Sequence, residues 1–247
     1  MTALAELGSI WSIAAVFAAA LVAGLMRGFA GFGSGMLMAP IFAVLFGPVP
    51  AVAVIVLMEV GVTAQLLPAL RGDVEWRLVG PMGVAAALFM PVGSWLLVTV
   101  DATLMTRVMA AIVLVFVLVL AIGWRYRGRR RTVVTAAVGA LSGTMMAATS
   151  MGNPPVMLYM LAGPDSAARS RANVTAYFAI TLAALITVML VSGLIGLDSV
   201  VTALLLLPVY MLAAWLGSRM FRASSERLYR QIALLALVAA ALIGLMS

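Results

Sequence analysis

The chain contains no cysteine, no histidine and no lysine. Without cysteine there is no disulfide, no thiolate nucleophile and no Cys-ligated zinc or iron–sulfur cluster. Without histidine there is no imidazole base, no haem ligand and no usual zinc site. No cofactor or metal is expected, and most of the chemistry that membrane enzymes use is excluded. All fifteen cationic side chains are arginines. Charge of either sign is scarce: 9% of the 247 residues are charged, against about 25% in a typical soluble domain. What fills the chain instead is apolar, 65% of it, with a mean hydropathy of +1.20. No globular interior of this size hides so much apolar surface. Lipid must be the solvent, and the fold class is an all-α polytopic membrane protein.

The net charge of +7 raises nucleic acid as a partner. Cytoplasmic loops of membrane proteins collect arginine for topological reasons, however, so none is expected. The first charge is acidic, Glu6, whereas a cleavable signal needs a positive start. The apolar stretch that follows is expected to remain in the mature protein.

A hydrocarbon core of ~30 Å needs about 20 apolar residues per helical crossing. Apolar runs broken by charge, Pro or Gly give about ten segments: 9–27, 30–47, 51–70, 76–98, 103–123, 133–148, 150–163, 172–194, 198–221 and 229–246. The loop Arg125–Arg131 carries five arginines and is expected to be cytoplasmic. Counting outward, Arg71 and Arg77, Arg169 and Arg171, and Arg219, Arg222, Arg227 and Arg230 fall on the same side. Glu6, Asp101 and Asp198 fall opposite, with only Arg107 leaning that way. Both termini are therefore expected outside, with an even number of crossings. A hairpin that dips in and returns would leave the same charge pattern.

The chain also repeats itself. Gly24, Gly28 and Pro40 recur as Gly139, Gly143 and Pro155, each 115 residues later (139 − 24). Gly93-Ser94 and Leu104 are echoed by Gly217-Ser218 and Leu228. The expected organisation is a first repeat over 1–124, an Arg-rich linker over 125–131 and a second repeat over 132–247. Five segments per half is an odd number, so the halves face opposite ways. Such inverted repeats recur in secondary transporters.

Backbone groups freed by Gly and Pro survive in a membrane only where protein or a water-filled cavity surrounds them. Gly28 to Gly35 has four glycines in eight residues, including Gly31, Phe32, Gly33 and Ser34. Ser150-Met151-Gly152-Asn153-Pro154-Pro155 holds the corresponding place in the second half. Segments six and seven together are too short for two comfortable crossings. Broken or re-entrant helices are expected at both motifs. A helix that begins in mid-membrane aims unpaired N–H groups and a partial positive charge ahead of it. Two such starts would make an anion site; the competing reading is that the glycines only permit close helix packing.

The Gly-rich run ending at Pro40, its second copy ending in Asn153-Pro154-Pro155, and the arginine-rich central loop resemble the TauE/SafE family of sulfite exporters and sulfonate permeases. The resemblance covers essentially the whole chain. It implies transport of small sulfur-containing anions, such as sulfite, sulfonates or sulfoacetate, or of related organic anions, across a bacterial inner membrane. In the second copy Ala147, Ala148 and Ser150 stand where the family's pattern has glycines.

Ionisable groups inside apolar segments default to functional hypotheses. Arg27 precedes the glycine run, and either snorkels to the interface or turns inward as counter-charge for an anion. Glu59 lies mid-segment. It either takes up and releases a proton as the coupling residue, or pairs with an arginine such as Arg27, or makes a neutral hydrogen bond between helices. Thr63 shares its helix face, Gln65 follows, and Arg171, Asn173, Thr175 and Tyr177 supply donors in the second half. Arg171 also reads as a loop-edge topology residue, whereas Asn153 donates without charge beside two prolines that cannot donate.

The leading expectation is a secondary transporter for a small anion, with H+ as a candidate coupling ion. No GxxxxGK[ST] motif is present, so the chain is not expected to hydrolyse ATP. A channel or uniporter, indifferent to Glu59, is the nearest alternative. A non-transporting scaffold subunit leaves the paired Gly/Pro breaks unexplained. An intramembrane enzyme would need paired deep carboxylates, and only Glu59 is deep. A homodimer is compatible with the sequence, and no single feature argues for it.

Overall fold

The computed structural model describes residues 9–30, 33–66, 74–122, 131–160, 167–220 and 237–246. Regular structure among these residues is helical throughout: α1 (Ile10–Ala30), α2 (Ser34–Phe46), α3 (Pro48–Leu66), α4 (Trp76–Thr99), α5 (Ala102–Ile122), α6 (Thr132–Thr149), α7 (Asn153–Met160), α8 (Ala167–Val191) and α9 (Leu197–Met220), then α10 (Leu237–Met246). A helix satisfies its own backbone groups, which is what lipid demands of a spanning segment. Among the described residues seven helices are long and apolar enough to cross a membrane: α1, α3, α4, α5, α6, α8 and α9. The chain is a multi-pass membrane protein.

Both expected breaks interrupt the helices. α2 has 13 residues, about 20 Å at 1.5 Å per residue and under a ~30 Å core, and α7 is described over Asn153–Met160. The second expected segment, 30–47, starts only at Ser34, because Gly33 takes a left-handed φ of 95° ahead of it. The seventh, 150–163, is helical over Asn153–Met160, with 161–163 outside the described residues. Ser150 ends α6 with a left-handed φ of 60°. Pro154 and Pro155 then occupy the first turn of α7, where a missing N–H costs nothing.

The helices pack in two similar sets. α1 lies along α9, and α6 lies along α4; α3 also packs on α9, and α8 on α4. If α1–α5 correspond to α6–α10, each contact has its counterpart in the other half. The repeated glycines form these seams. A Cβ on Gly28 would fall 1.8 Å from the Ala214 carbonyl oxygen, and one on Gly143 would fall 2.2 Å from that of Ala86. Cβ atoms added to Gly24 and Gly139 would meet backbone oxygens of the same partner helices, at 2.6 Å and 2.3 Å, and those on Gly217 and Gly93 would meet oxygens of α1 and α6 from the other side of each seam, at 2.3 Å and 2.2 Å. At these positions the packing reading of glycine holds, since only a missing side chain lets the helix axes come so near.

The core runs between these pairs through Phe42, Ile55, Met58, Met90 and Met109, all buried. Leu88, Val115, Leu118, Leu204 and Leu212 point outward, as a lipid-facing surface requires.

Candidate functional site

Arg27, in the last turn of α1, is buried with 3% of its surface exposed. Its side chain turns inward, not out to the interface. Its Nε lies 3.1 Å from Oε2 of Glu59, near the middle of α3. The contact is an ion pair by distance, with the N–H not aligned for a hydrogen bond. The guanidinium carbon stands 4.2 Å from the ring centroid of Phe178 on α8. A cation over a desolvated ring gains about 2 kcal/mol, so Arg27 is held from two sides.

The other carboxylate oxygen, Oε1, accepts two hydroxyl donors. Tyr210 on α9 donates at 2.6 Å, and Ser34, the first residue of α2, donates as well. Four elements thus converge on one carboxylate. Because Ser34 meets Glu59 near the middle of α3, α2 begins beside the middle of a membrane-length helix. No side chain caps that start, so its first N–H groups and their partial positive charge lie next to the ion pair.

The second half builds a neutral counterpart. Ser142, at the 115-residue offset from Arg27 (142 − 27), sits on α6 and donates to the Gly152 carbonyl just ahead of α7. Tyr177, on α8 as Glu59 is on α3, donates to the Ser142 hydroxyl at 2.8 Å. Thr135 and Tyr159 share a further hydrogen bond of 2.6 Å between α6 and α7. In each half, a residue of the first long helix and one of the third pin the start of the short helix. One pin is an ion pair and the other is a chain of hydroxyls.

The two starts touch. A Cβ on Gly35 would lie 2.3 Å from the carbonyl oxygen of Ser150, so the first turn of α2 rests on the turn that precedes α7. Ser150 is the one non-glycine with positive φ among the described residues. Its hydroxyl is buried and has no hydrogen-bond partner among them. Ser150 therefore takes a backbone conformation that glycine adopts more readily. Asn153 opens α7, half-buried.

The remaining candidates separate from this centre. Thr63 is buried one turn beyond Glu59, and its hydroxyl has no partner among the described residues. Gln65 is exposed at the end of α3. Asn173 is buried, and its Oδ1 accepts from the Glu75 backbone N–H at 2.8 Å, which ties α8 to the start of α4. Glu75 also lines a cavity of about 120 Å³ with Arg77, Leu78, Pro81, Thr132 and Thr135. Gly31 and Phe32, and the Arg171 side chain, lie outside the described residues. Tyr210, Phe178 and Ser142 belong to the site and were not singled out from the sequence. A tyrosine in mid-segment, away from the interface where tyrosines collect, was the available signal for Tyr210. The repeat offset from Arg27 was the signal for Ser142.

Seven membrane-length helices among the described residues, with a buried ion pair beside the start of α2, define a multi-pass membrane protein. The chain belongs to the TauE/SafE family: the family model described as Sulfite exporter TauE/SafE matches residues 16–243, nearly its whole length. This is a family of transporters, not of enzymes. No curated protein and no solved structure matches the chain.

Proposed function

We propose that the protein is a secondary transporter for a small sulfur-containing oxyanion, such as sulfite, a sulfonate, sulfoacetate or a similar organic anion. The observation that carries this reading is the placement of Arg27. A buried guanidinium stands beside the uncapped start of α2, where that start meets the break before α7. Guanidinium, hydroxyl donors and helix-start N–H groups together are the chemistry that binds oxyanions. Substrate would lie among Arg27, Ser34, Gly35, Ser150, Gly152 and Asn153, between the two halves.

The two halves work as inverted repeats that rock about this junction, opening it to each side in turn. Their equivalent packing, α1 on α9 and α6 on α4, supports that relation. The membrane is the bacterial inner membrane, with the Arg125–Arg131 loop cytoplasmic and both termini outside, as the arginine distribution favours. Glu59 is the coupling residue and H+ the coupling ion. Export of an anion from a negative interior is itself favoured by ~2.3 kcal/mol per charge per 100 mV.

The test is counterflow in proteoliposomes. Vesicles preloaded with unlabelled sulfite should take up labelled sulfite faster than empty vesicles, and the uptake should saturate. Uptake that rises linearly without trans-stimulation would identify a channel. No uptake of sulfite or of any small sulfonate removes the substrate class altogether.

A further inference from the structure

The guanidinium and two hydroxyl donors that a bound oxyanion would use at this junction are already engaged by a carboxylate of the chain itself. Ser34 and Tyr210 donate to Oε1 of Glu59, and Arg27 faces Oε2 at 3.1 Å. A carboxylate and a sulfonate present the same pattern, two oxygens on one central atom, to a planar guanidinium and its flanking hydroxyls. We propose that the Glu59 carboxylate is an internal occupant of the anion site, exchanged for substrate when a proton on Glu59 releases Arg27, Ser34 and Tyr210, so that one proton travels with each monoanion. This rests on the transporter reading above and specifies how the site is regulated and what it accepts.

Three observations support the exchange. First, the buried pair of Arg27 and Glu59 is neutral as a unit. A monoanion added alone would leave a net charge in a low-dielectric centre, whereas a monoanion with a proton leaves none. Second, the oxygens are unequal. Oε1 accepts two O–H donors, while Oε2 accepts no hydrogen bond among the described residues and meets only the guanidinium. A proton from the aqueous phase therefore goes to Oε2 and breaks the ion pair there. It returns to water when the anion leaves and the carboxylate resumes its place. Third, Phe178 holds the guanidinium from its other side, so Arg27 stays in position when Glu59 turns away.

No other charged group contacts Glu59 among the described residues. α6 has no ionisable residue. Arg77 on α4, Arg107 on α5 and Arg169 on α8 belong to the first two turns of their helices, Asp198 and Arg219 lie in the first and last turns of α9, and Tyr177 is turned to Ser142. The ionisable groups that Glu59 meets are accordingly Arg27 and Tyr210. The donor layout also sets selectivity. Because the donors are spread over two oxygens, an oxyanion satisfies all of them and a spherical halide does not.

The test uses the full-length protein in proteoliposomes and ethanesulfonate, whose charge does not change near neutral pH. Uptake should fall about tenfold per pH unit on the alkaline side, as single-proton linkage requires. A potassium–valinomycin potential should leave accumulation unchanged, whereas an uncoupled monoanion would shift about 50-fold per 100 mV. Equimolar propionate should compete, and chloride should not. Glu59→Gln, which keeps a carbonyl acceptor without a titrating group, should exchange ethanesulfonate with no pH dependence. The wild-type profile decides the matter even where that variant fails to fold. Uptake that is flat with pH and follows the potential overturns this inference and leaves the transporter standing. Uptake absent at every pH overturns both.

Discussion

Gly35 of α2 rests against the carbonyl oxygen of Ser150, so closely that a Cβ added to the glycine would fall 2.3 Å from it. The contact joins the start of one short helix to the turn that launches the other, and so joins the two halves at their centre. The obstructing atom is backbone and cannot swing aside as a flexible side chain would. Gly35→Ala should therefore destabilise the protein by about 1–3 kcal/mol, the usual cost of overpacking. Gly80→Ala is the control. Nothing lies within 4 Å of its added Cβ, and the helix gains up to about 1 kcal/mol of propensity. Thermal unfolding in detergent should move the two variants in opposite directions; equal shifts would dissolve the junction.

Ser150 carries backbone strain that glycine would not. Its φ of 60° costs an L-residue about 1–2 kcal/mol, and its hydroxyl has no hydrogen-bond partner among the described residues to lose. Glycine's greater freedom in the unfolded chain offsets about 0.5–1 kcal/mol of the relief. Ser150→Gly should leave a net gain of about 0.5–1 kcal/mol, read as a higher midpoint of unfolding. Ser150→Ala keeps the strain and should stay near wild type.

Removing one partner of a buried ion pair costs about 3–5 kcal/mol, because the other charge is left uncompensated. Arg27→Met should show this in full, since Glu59 then has only hydroxyl partners. Glu59→Gln should cost less, because Phe178 still stacks on the guanidinium. The double variant Arg27→Met/Glu59→Gln should recover most of the loss. A double-mutant cycle on unfolding free energies measures the coupling; additive losses would mean that the pair does not act as one.

The two buried tyrosines separate the charged cluster from the neutral one. Tyr210 donates to a carboxylate, a bond worth about 1.5–3 kcal/mol, while Tyr177 donates to a neutral hydroxyl, worth about 1 kcal/mol. Tyr210→Phe should lower stability more and should also raise the KM for ethanesulfonate about tenfold. Tyr177→Phe should leave that KM within about twofold. Equal effects on KM would place substrate in both clusters.

Much of this architecture was legible because membrane helices are announced by long apolar runs, and breaks by Gly and Pro in mid-run. Gly33 marks the start of a short helix, and the Ser150-to-Pro155 motif marks a real break between α6 and α7. Glu59 was conspicuous as a lone deep carboxylate, and its pairing with Arg27 was one of the readings the sequence allowed. What could not be read were the partners. A helix surrounded by lipid and other apolar helices shows no polar stripe at the 3.6-residue period, so nothing local says which face of α9 or α8 turns inward. Tyr210 and Phe178 reach the site only through packing across the halves. Gln65 shows the converse: close to Glu59 in sequence, it turns out to be exposed.

The central claim is that the Arg27 guanidinium binds the oxyanion once Glu59 no longer occupies it. Equilibrium binding of labelled ethanesulfonate to detergent-purified protein tests it most directly, with Glu59→Gln compared against Arg27→Met/Glu59→Gln. Both variants are neutral at position 59 and differ only in the guanidinium, and the double variant is the better compensated of the two. Glu59→Gln should bind at neutral pH, and loss of the guanidinium should weaken binding at least about tenfold, the scale of one charge-assisted contact. Equal affinity in the two variants would contradict the claim and move the anion away from Arg27.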